Sequence, residues 1–338
     1  MFFLLGISIL LASLLAVNSL ASLSLAGAWR VVEKFTRSWS AGARARILFL
    51  LRIAPAALSM FLVVLFLTPA YLMHEPRATS EKISLKLAAL ALASFVGIGL
   101  AVLRGLASWR ATRRLTADWK AHGRPVPIDG SGNCAYLDAY LIEHTFPIIA
   151  VVGALRPKLF IARSVVAALT PDEIVAALAH ESGHLAARDN LKRGLLRACR
   201  DSLLIIPCGR SLDSAWAEAS ECAADERAAR EGRKTALDLA SALVKIARMV
   251  PGGGRPTMPA GAFLLGDESS SGVKWRVRRL VQLAGSENKP HLESVLFKRI
   301  LAGVSAASFV ALLAVALSTP LVLVTVHSFI ERVVFFLD

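Results

Sequence analysis

Four stretches of the chain are apolar for long enough to cross a bilayer. The segment between the third and fourth shows instead the shorter apolar periods of strands and amphipathic helices. A spanning helix needs about 20 apolar residues to cross roughly 30 Å of hydrocarbon. Phe2 to Ala28 carries no charge, and Ile53 to Met73 is uncharged between Arg52 and His74. Leu87 to Leu103 is shorter, and extends back to Ile83 when Lys86 snorkels to the interface. Ile300 to Ile330 is uncharged apart from a proton on His327. Transmembrane helices are therefore expected over 1–28, 53–73, 83–106 and 300–330. Small residues at Ala26-Gly27-Ala28 resemble a signal-peptide cleavage site, but there is no basic amino-terminal region and the apolar part is too long, so the first stretch reads as a retained span.

The distribution of Lys and Arg orients these spans. Arg30, Lys34, Arg37, Arg44, Arg46 and Arg52 fall in a basic loop, 29–52, while the turn between the second and third spans is short and mixed in charge. Arg104, Arg110, Arg113, Arg114 and Lys120 follow the third span, and Lys298 and Arg299 precede the fourth. The amino terminus is thus expected outside, and the 29–52 loop and residues 108–298 in the cytoplasm, of a multi-pass protein of the bacterial cell membrane.

Composition agrees with this reading. Of 338 residues, 55% are hydrophobic and 19% charged, against about a quarter charged in a soluble domain. The formal charge of +14 is concentrated beside the spans, where it attracts anionic lipid headgroups. No basic patch interleaved with aromatics accompanies it, so direct nucleic-acid binding is not expected. Cys134, Cys199, Cys208 and Cys222 form no CxxC pair, and packing is the expected role of most of them.

Within 108–298, Phe146–Leu155 and Lys158–Ala162 read as two adjacent strands turned by Arg156-Pro157. Thr170-Pro171-Asp172-Glu173 spells a capping box, opening a helix expected to run to about Arg193. A second helix is expected over about 211–230. Residues 251–259 and 267–272 read as loops, and the apolar run 202–208 as a patch that packs in the core or dips into the interface.

On the capped helix lies His180-Glu181-Ser182-Gly183-His184. Residues at i and i+4 share a helix face, so both imidazoles can reach one ion, and Glu181 can address a water in the open coordination position. This is the HExxH arrangement, with zinc-binding histidines and a glutamate general base. A catalytic zinc takes three protein ligands and one open position. Glu221 on the next helix is the candidate third ligand, with Asp225 four residues on as the acceptor for the outer nitrogen of a ligand histidine. Glu218, Glu226 and Cys222 are rivals for the third position.

The run Arg156-Pro157-Lys158-Leu159-Phe160-Ile161, the Thr-Pro-Asp-Glu cap, HESGH, Arg188-Asp189 and the Glu221–Asp225 segment resemble the BlaR/MecR-type integral-membrane metallopeptidases over nearly the whole chain. The resemblance implies an α-helical membrane protein with four transmembrane helices and an inserted α+β zincin-like cytoplasmic domain over 108–298. It implies one Zn2+ per chain on His180, His184 and Glu221, with Glu181 as base and Asp225 behind the ligands. It departs from the family in having Ala224, where Cys is frequent, and in the eight residues after Ile330, where the antibiotic-sensing members continue into a penicillin-binding domain; direct β-lactam sensing is therefore not expected. The HtpX-type proteases share both motifs and are the rival resemblance.

The implied reaction is peptide-bond hydrolysis. Arg279 is the candidate oxyanion donor, from a recurring Arg-Ile/Leu position in relatives. The substrate is expected as an added strand along Ile148, Ala150, Val152, Gly153 and Ala154. Expected partners are membrane lipid and a protein substrate such as a transcriptional repressor. Quality control of membrane proteins, and a non-catalytic scaffold with a structural zinc, are the alternative functions.

Overall fold

The computed structural model describes residues 1–76, 83–127, 137–203, 209–250, 270–285, 308–309, 312 and 320–337. Among these, three helical runs are long and apolar enough to cross a membrane: Phe2–Val32, Ala41–His74 and Leu85–His122. The first is α1. The second comprises α2 (Ala41–Leu62) and α3 (Thr68–His74), joined by a π-turn at Val63–Leu67. Pro69 explains that turn: its ring has no N–H to donate to the carbonyl of Leu65 and would collide with it. The Thr68 hydroxyl donates to the carbonyl of Val63 at 2.8 Å within the same turn. The third is α4 (Leu85–His122).

The helices overrun the expected spans. The segment expected as a basic loop, 29–52, is mostly helical: α1 continues to Val32, a 3-10 turn covers Glu33–Ser38, and Ser40 caps α2 by accepting from the N–H of Ala43 at 3.3 Å. Arginine is a good helix former, so the charges that end an apolar run do not end the helix. For the same reason α4 passes Arg104 and ends only at His122, where Thr112 and Trp119 have become buried. Most of the expected fourth span, including 300–307 and 313–319, lies outside the described residues. Its residues 320–330 belong to a helix, Pro320–Leu337, that runs past Ile330.

The polar region is α+β. A four-stranded sheet has the order β1-β2-β4-β3, with β1 (Arg124–Pro125), β2 (Ala139–Ile142), β3 (Ile149–Val152) and β4 (Lys158–Ala162). β3 and β4 pair antiparallel, with Val151 opposite Leu159, across the Arg156-Pro157 turn. β2 runs parallel to β4 and was not anticipated; four residues are too few to show a period against the background of loops. β3 lies at the edge of the sheet.

Short helix α5 (Arg163–Ala168) leads into α6 (Pro171–Ala187). The expected long helix ends here, because Arg188 adopts left-handed backbone (φ 55°) and the chain restarts as α7 (Asp189–Asp201). Helices α8 (Arg210–Ala229), α9 (Arg233–Met249) and α10 (Ser270–Gly285) complete the domain. The described part of the expected 267–272 loop, from Ser270 on, is the first turn of α10. Of the apolar patch 202–208, residues 204–208 are outside the described set; Leu203 is buried. Helix Pro320–Leu337 is α11. One apolar core joins the sheet to α6, α9 and α10; another joins α1 and α2 to α7 and α8 through Trp29, Leu48, Leu196 and Trp216.

The start of α6 is held firmly. Thr170 and Glu173 form a reciprocal capping box, and the buried Glu173 carboxylate also accepts from Ser241 at 2.6 Å and Lys245 at 2.7 Å on α9. Burial raises the pKa of Glu173, but Lys245, Ser241 and the N–H of Thr170 outweigh it and hold it at about 2. A carboxyl lowered on folding stabilises the protein above its unfolded pKa, and that stabilisation is lost as pH falls through the folded value. The contribution, about 3 kcal/mol at one pKa unit per 1.36 kcal/mol, is expected in full at pH 6 and progressively lost from about pH 4.5 towards 2. Denaturation of Glu173→Gln beside wild type checks this: the variant should be less stable at pH 6, with the difference shrinking below pH 4.

Candidate metal centre

Helices α6 and α8 cross at their smallest residues. A Cβ on Gly183 would lie 3.0 Å from Cα and 3.1 Å from Cβ of Ala224, so any side chain here would press the two helices apart. The contact places Glu221, one turn before Ala224, against the two histidines of α6. Nε2 of His180 and Nε2 of His184 are 3.2 Å apart, and the Glu221 carboxylate lies 3.7 Å from the first and 3.5 Å from the second. These three buried side chains offer ligand atoms all within 4.8 Å of one another.

The far side of each imidazole is engaged. Nδ1 of His180 is 2.9 Å from Oδ1 of Asp225, and Nδ1 of His184 is 2.8 Å from Oδ2 of Asp189. Each contact assigns the proton to Nδ1 and leaves the Nε2 lone pair directed at the other ring. Two such lone pairs repel at 3.2 Å, so the gap must hold a proton or a metal cation. The surrounding charges make the same demand: Glu181, Glu221, Asp189 and Asp225 are all buried, and Arg276 is the guanidinium among them. The donor set of two imidazoles and a carboxylate suits a divalent transition metal. His180, His184 and Glu221 would hold it.

Burial pushes His180 down to about 4 despite Asp225, which keeps the ring neutral. Burial also works to lower His184, but Glu221, Asp189 and Glu181 prevail and raise it. Burial raises Glu181 to about 7. Its Oε2 accepts from the N–H of Val151 on the edge strand at 3.1 Å, while Oε1 is buried with no hydrogen-bond partner among the described residues. Glu181 therefore presents one free carboxylate oxygen beside the cluster and is anchored by the other.

Asp225 lies where the spacing placed it, behind His180. The rivals of Glu221 lie elsewhere: Glu218 and Cys222 line a cavity shared with Trp39, burial pushes the Cys222 thiol up to about 12, and Glu226 accepts from the N–H of Ala41 and from Arg279. Arg279, the expected oxyanion donor, is thus committed to Glu226 and stacks on Trp275, outside the cluster. The arginine at the centre is Arg276. Nε and Nη2 clasp Asp225 at 2.8 and 2.6 Å, and Nη1 is 2.8 Å from Glu221. The apolar period of α10 held the signal, since Arg276 falls on the same buried stripe as Val273 and Leu280 while Arg279 does not. The spacing gives Asp189 of the Arg188-Asp189 pair no role at the centre, because Arg188 must turn left-handed to bring it back beneath His184. Of the strand residues, Ala150 and Val152 point their backbone groups towards β4, and the outer edge belongs to Val151 and Gly153, where the Val151 N–H donates to Glu181 and both carbonyls accept from Asn190 at 2.8 and 3.2 Å.

Two outcomes are expected. Removing Arg276 leaves buried carboxylates uncompensated, so Arg276→Leu should cost roughly 3–5 kcal/mol and weaken metal retention, whereas Arg279→Leu, at a partly exposed pair, should cost roughly 1 kcal/mol or less; thermal melts and metal analysis of both variants check this. Gly183→Val should drive α8 away from α6 and abolish metal retention while helical circular dichroism persists.

Residues 137–287, somewhat under half of the chain, match the family model described as Peptidase family M48. No curated protein matches the chain. The matched segment contains His180, Glu181, His184, Asp189, Glu221, Asp225 and Arg276. The segment that builds this centre is therefore similar to the M48 peptidases, and it is set among helices long and apolar enough to cross a membrane.

Proposed function

We propose that this protein is a zinc endopeptidase that cleaves a protein at the cytoplasmic surface of the membrane, in a signalling or regulatory role like that of the BlaR/MecR-type metallopeptidases. The observation that carries the reading is Glu181, buried beside the three candidate ligands with one oxygen free and the other on the edge strand. A structural metal site has no use for such a group.

Zinc at this site would supply Lewis acidity, polarising the scissile carbonyl and easing loss of a proton from the attacking water. Glu181 Oε1 takes that proton and delivers it to the leaving amine. Asp225 and Asp189 keep both histidines in the ligating tautomer through the cycle. Extended peptide pairs with the outer edge of β3 by taking the carbonyls of Val151 and Gly153 from Asn190, and because Glu181 is bonded to Val151 of that edge, the base and the substrate strand share one reference frame. The substrate in this reading is a protein such as a repressor; the basic helix ends contact anionic lipid, with the amino terminus outside and the 137–287 domain in the cytoplasm.

About one zinc per chain is expected in detergent-purified wild type and in Glu181→Gln, and a sharp loss in Glu221→Ala. Glu181→Gln should lower cleavage of a protein substrate at least about 100-fold with zinc retained. A folded wild type that takes up no zinc would sink the reading. Cleavage of one protein by wild type points to a regulatory role, and cleavage of many unfolded membrane proteins to quality control.

A further inference from the structure

The cavity at the metal centre does not stop there. A space of about 340 Å3 lies beside Glu181 and His184. It shares Ala154, Asn190 and Leu191 with a second cavity, of about 500 Å3, between α4 and α7. The second is lined by Ala101, Gly105 and Ser108 of α4 and Gly194, Leu195 and Ala198 of α7. Both glycines open it: a Cβ on either would meet nothing within 4 Å.

The groove has a direction. Asn190, at its inner end, donates to the carbonyls of Val151 and Gly153 on the outer edge of β3. At its outer end Asp201 binds Arg104 at 3.0 Å, and Arg104 is the first charge after the uncharged run Leu87–Leu103, which places it at the membrane surface. Asn190 and Asp201 are eleven helical residues apart, or about 16 Å at 1.5 Å per residue. An extended chain covers that distance in about five residues at 3.3 Å each.

We propose that this groove receives the membrane-proximal segment of a substrate anchored in the same bilayer, so that the bond cut lies about five residues from the membrane surface. The proposal rests on the peptidase reading above and departs from its repressor example by requiring a substrate anchored in the bilayer. The occupant is an extended, apolar segment free of Lys and Arg. Small and apolar lining residues accept apolar side chains, while Arg104, Arg197 and Arg200 at the outer end repel the basic residues that ordinarily flank the cytoplasmic end of a span. An acidic residue at that end of the segment complements them.

The full-length protein, reconstituted in phosphatidylcholine–phosphatidylglycerol vesicles with zinc, is offered two probes: a single-span fusion protein with an apolar membrane-proximal segment, and a short water-soluble peptide of the same cleavage sequence. The fusion should be cut about five residues from the surface, as read by mass spectrometry, and two lysines placed in its segment should slow cleavage tenfold or more. Gly105→Leu with Gly194→Leu fills the groove; leucine is the better helix former, so the helices tolerate it. This variant should lose tenfold or more in kcat/KM on the fusion and less than twofold on the peptide. Equal effects on both probes, or none on the fusion, would overturn the proposal. A trap independent of activity uses Glu181→Gln with Gly194→Cys and single cysteines along the fusion segment. A disulfide confined to the groove-spanning residues supports the groove, and its absence, or phospholipid recovered from the groove in place of peptide, refutes it. If the trap succeeds while wild type cuts neither probe, the peptidase reading fails and the groove stands.

Discussion

The centre depends on one close contact, Gly183 of α6 against Ala224 of α8. Two helices whose backbones meet at a missing side chain can bring a carboxylate from one within reach of imidazoles on the other. Every further feature of the centre is measured from that crossing. Glu221 lies one turn to one side, Asp225 follows immediately on the other, and Arg276 closes over both from α10. A larger residue at 183 would separate the ligands without touching any of them, and Ala224 is the small partner at this crossing.

Electrostatics then decides what the centre can hold. Four buried carboxylates surround two imidazoles and one guanidinium, and burial makes each unbalanced charge costly. Arg276 offsets Asp225 and part of Glu221. The rise in the pKa of His184, which Glu221, Asp189 and Glu181 impose against burial, expresses the deficit that remains, and burial raises Glu181 as well. A divalent cation held by His180, His184 and Glu221 would meet the same deficit. The demand for positive charge and the capacity for catalysis are two consequences of one arrangement.

The long apolar helices are tied to this centre by polar contacts. Arg52, buried in α2, donates to Asp213 of α8 at 2.9 Å. Glu226, next to Asp225, accepts from the first N–H of α2 at 3.1 and 3.2 Å. Arg104 of α4 holds Asp201 of α7. The helix carrying the third ligand and the helix bordering the groove are each fastened to a different long apolar helix, which fixes the position of the domain relative to those helices.

Much of this was legible in the chain. The apolar runs located three spanning helices, the capping box located the start of α6, and the i, i+4 spacings of His180 with His184 and of Glu221 with Asp225 put each pair on one helix face, because helical periodicity is a local property. Helix ends were less legible, since arginine ends an apolar run without ending a helix, and β2 was invisible because its pairing partner, β4, is distant in sequence. What only the tertiary structure decided was which separate faces meet. It chose Arg276 over Arg279 and brought Asp189 back under His184 through a left-handed Arg188. It also joined the metal centre to a groove between α4 and α7. Those choices are set by packing between elements remote in the chain, and local sequence carries the shape of each element but not the neighbour it will find.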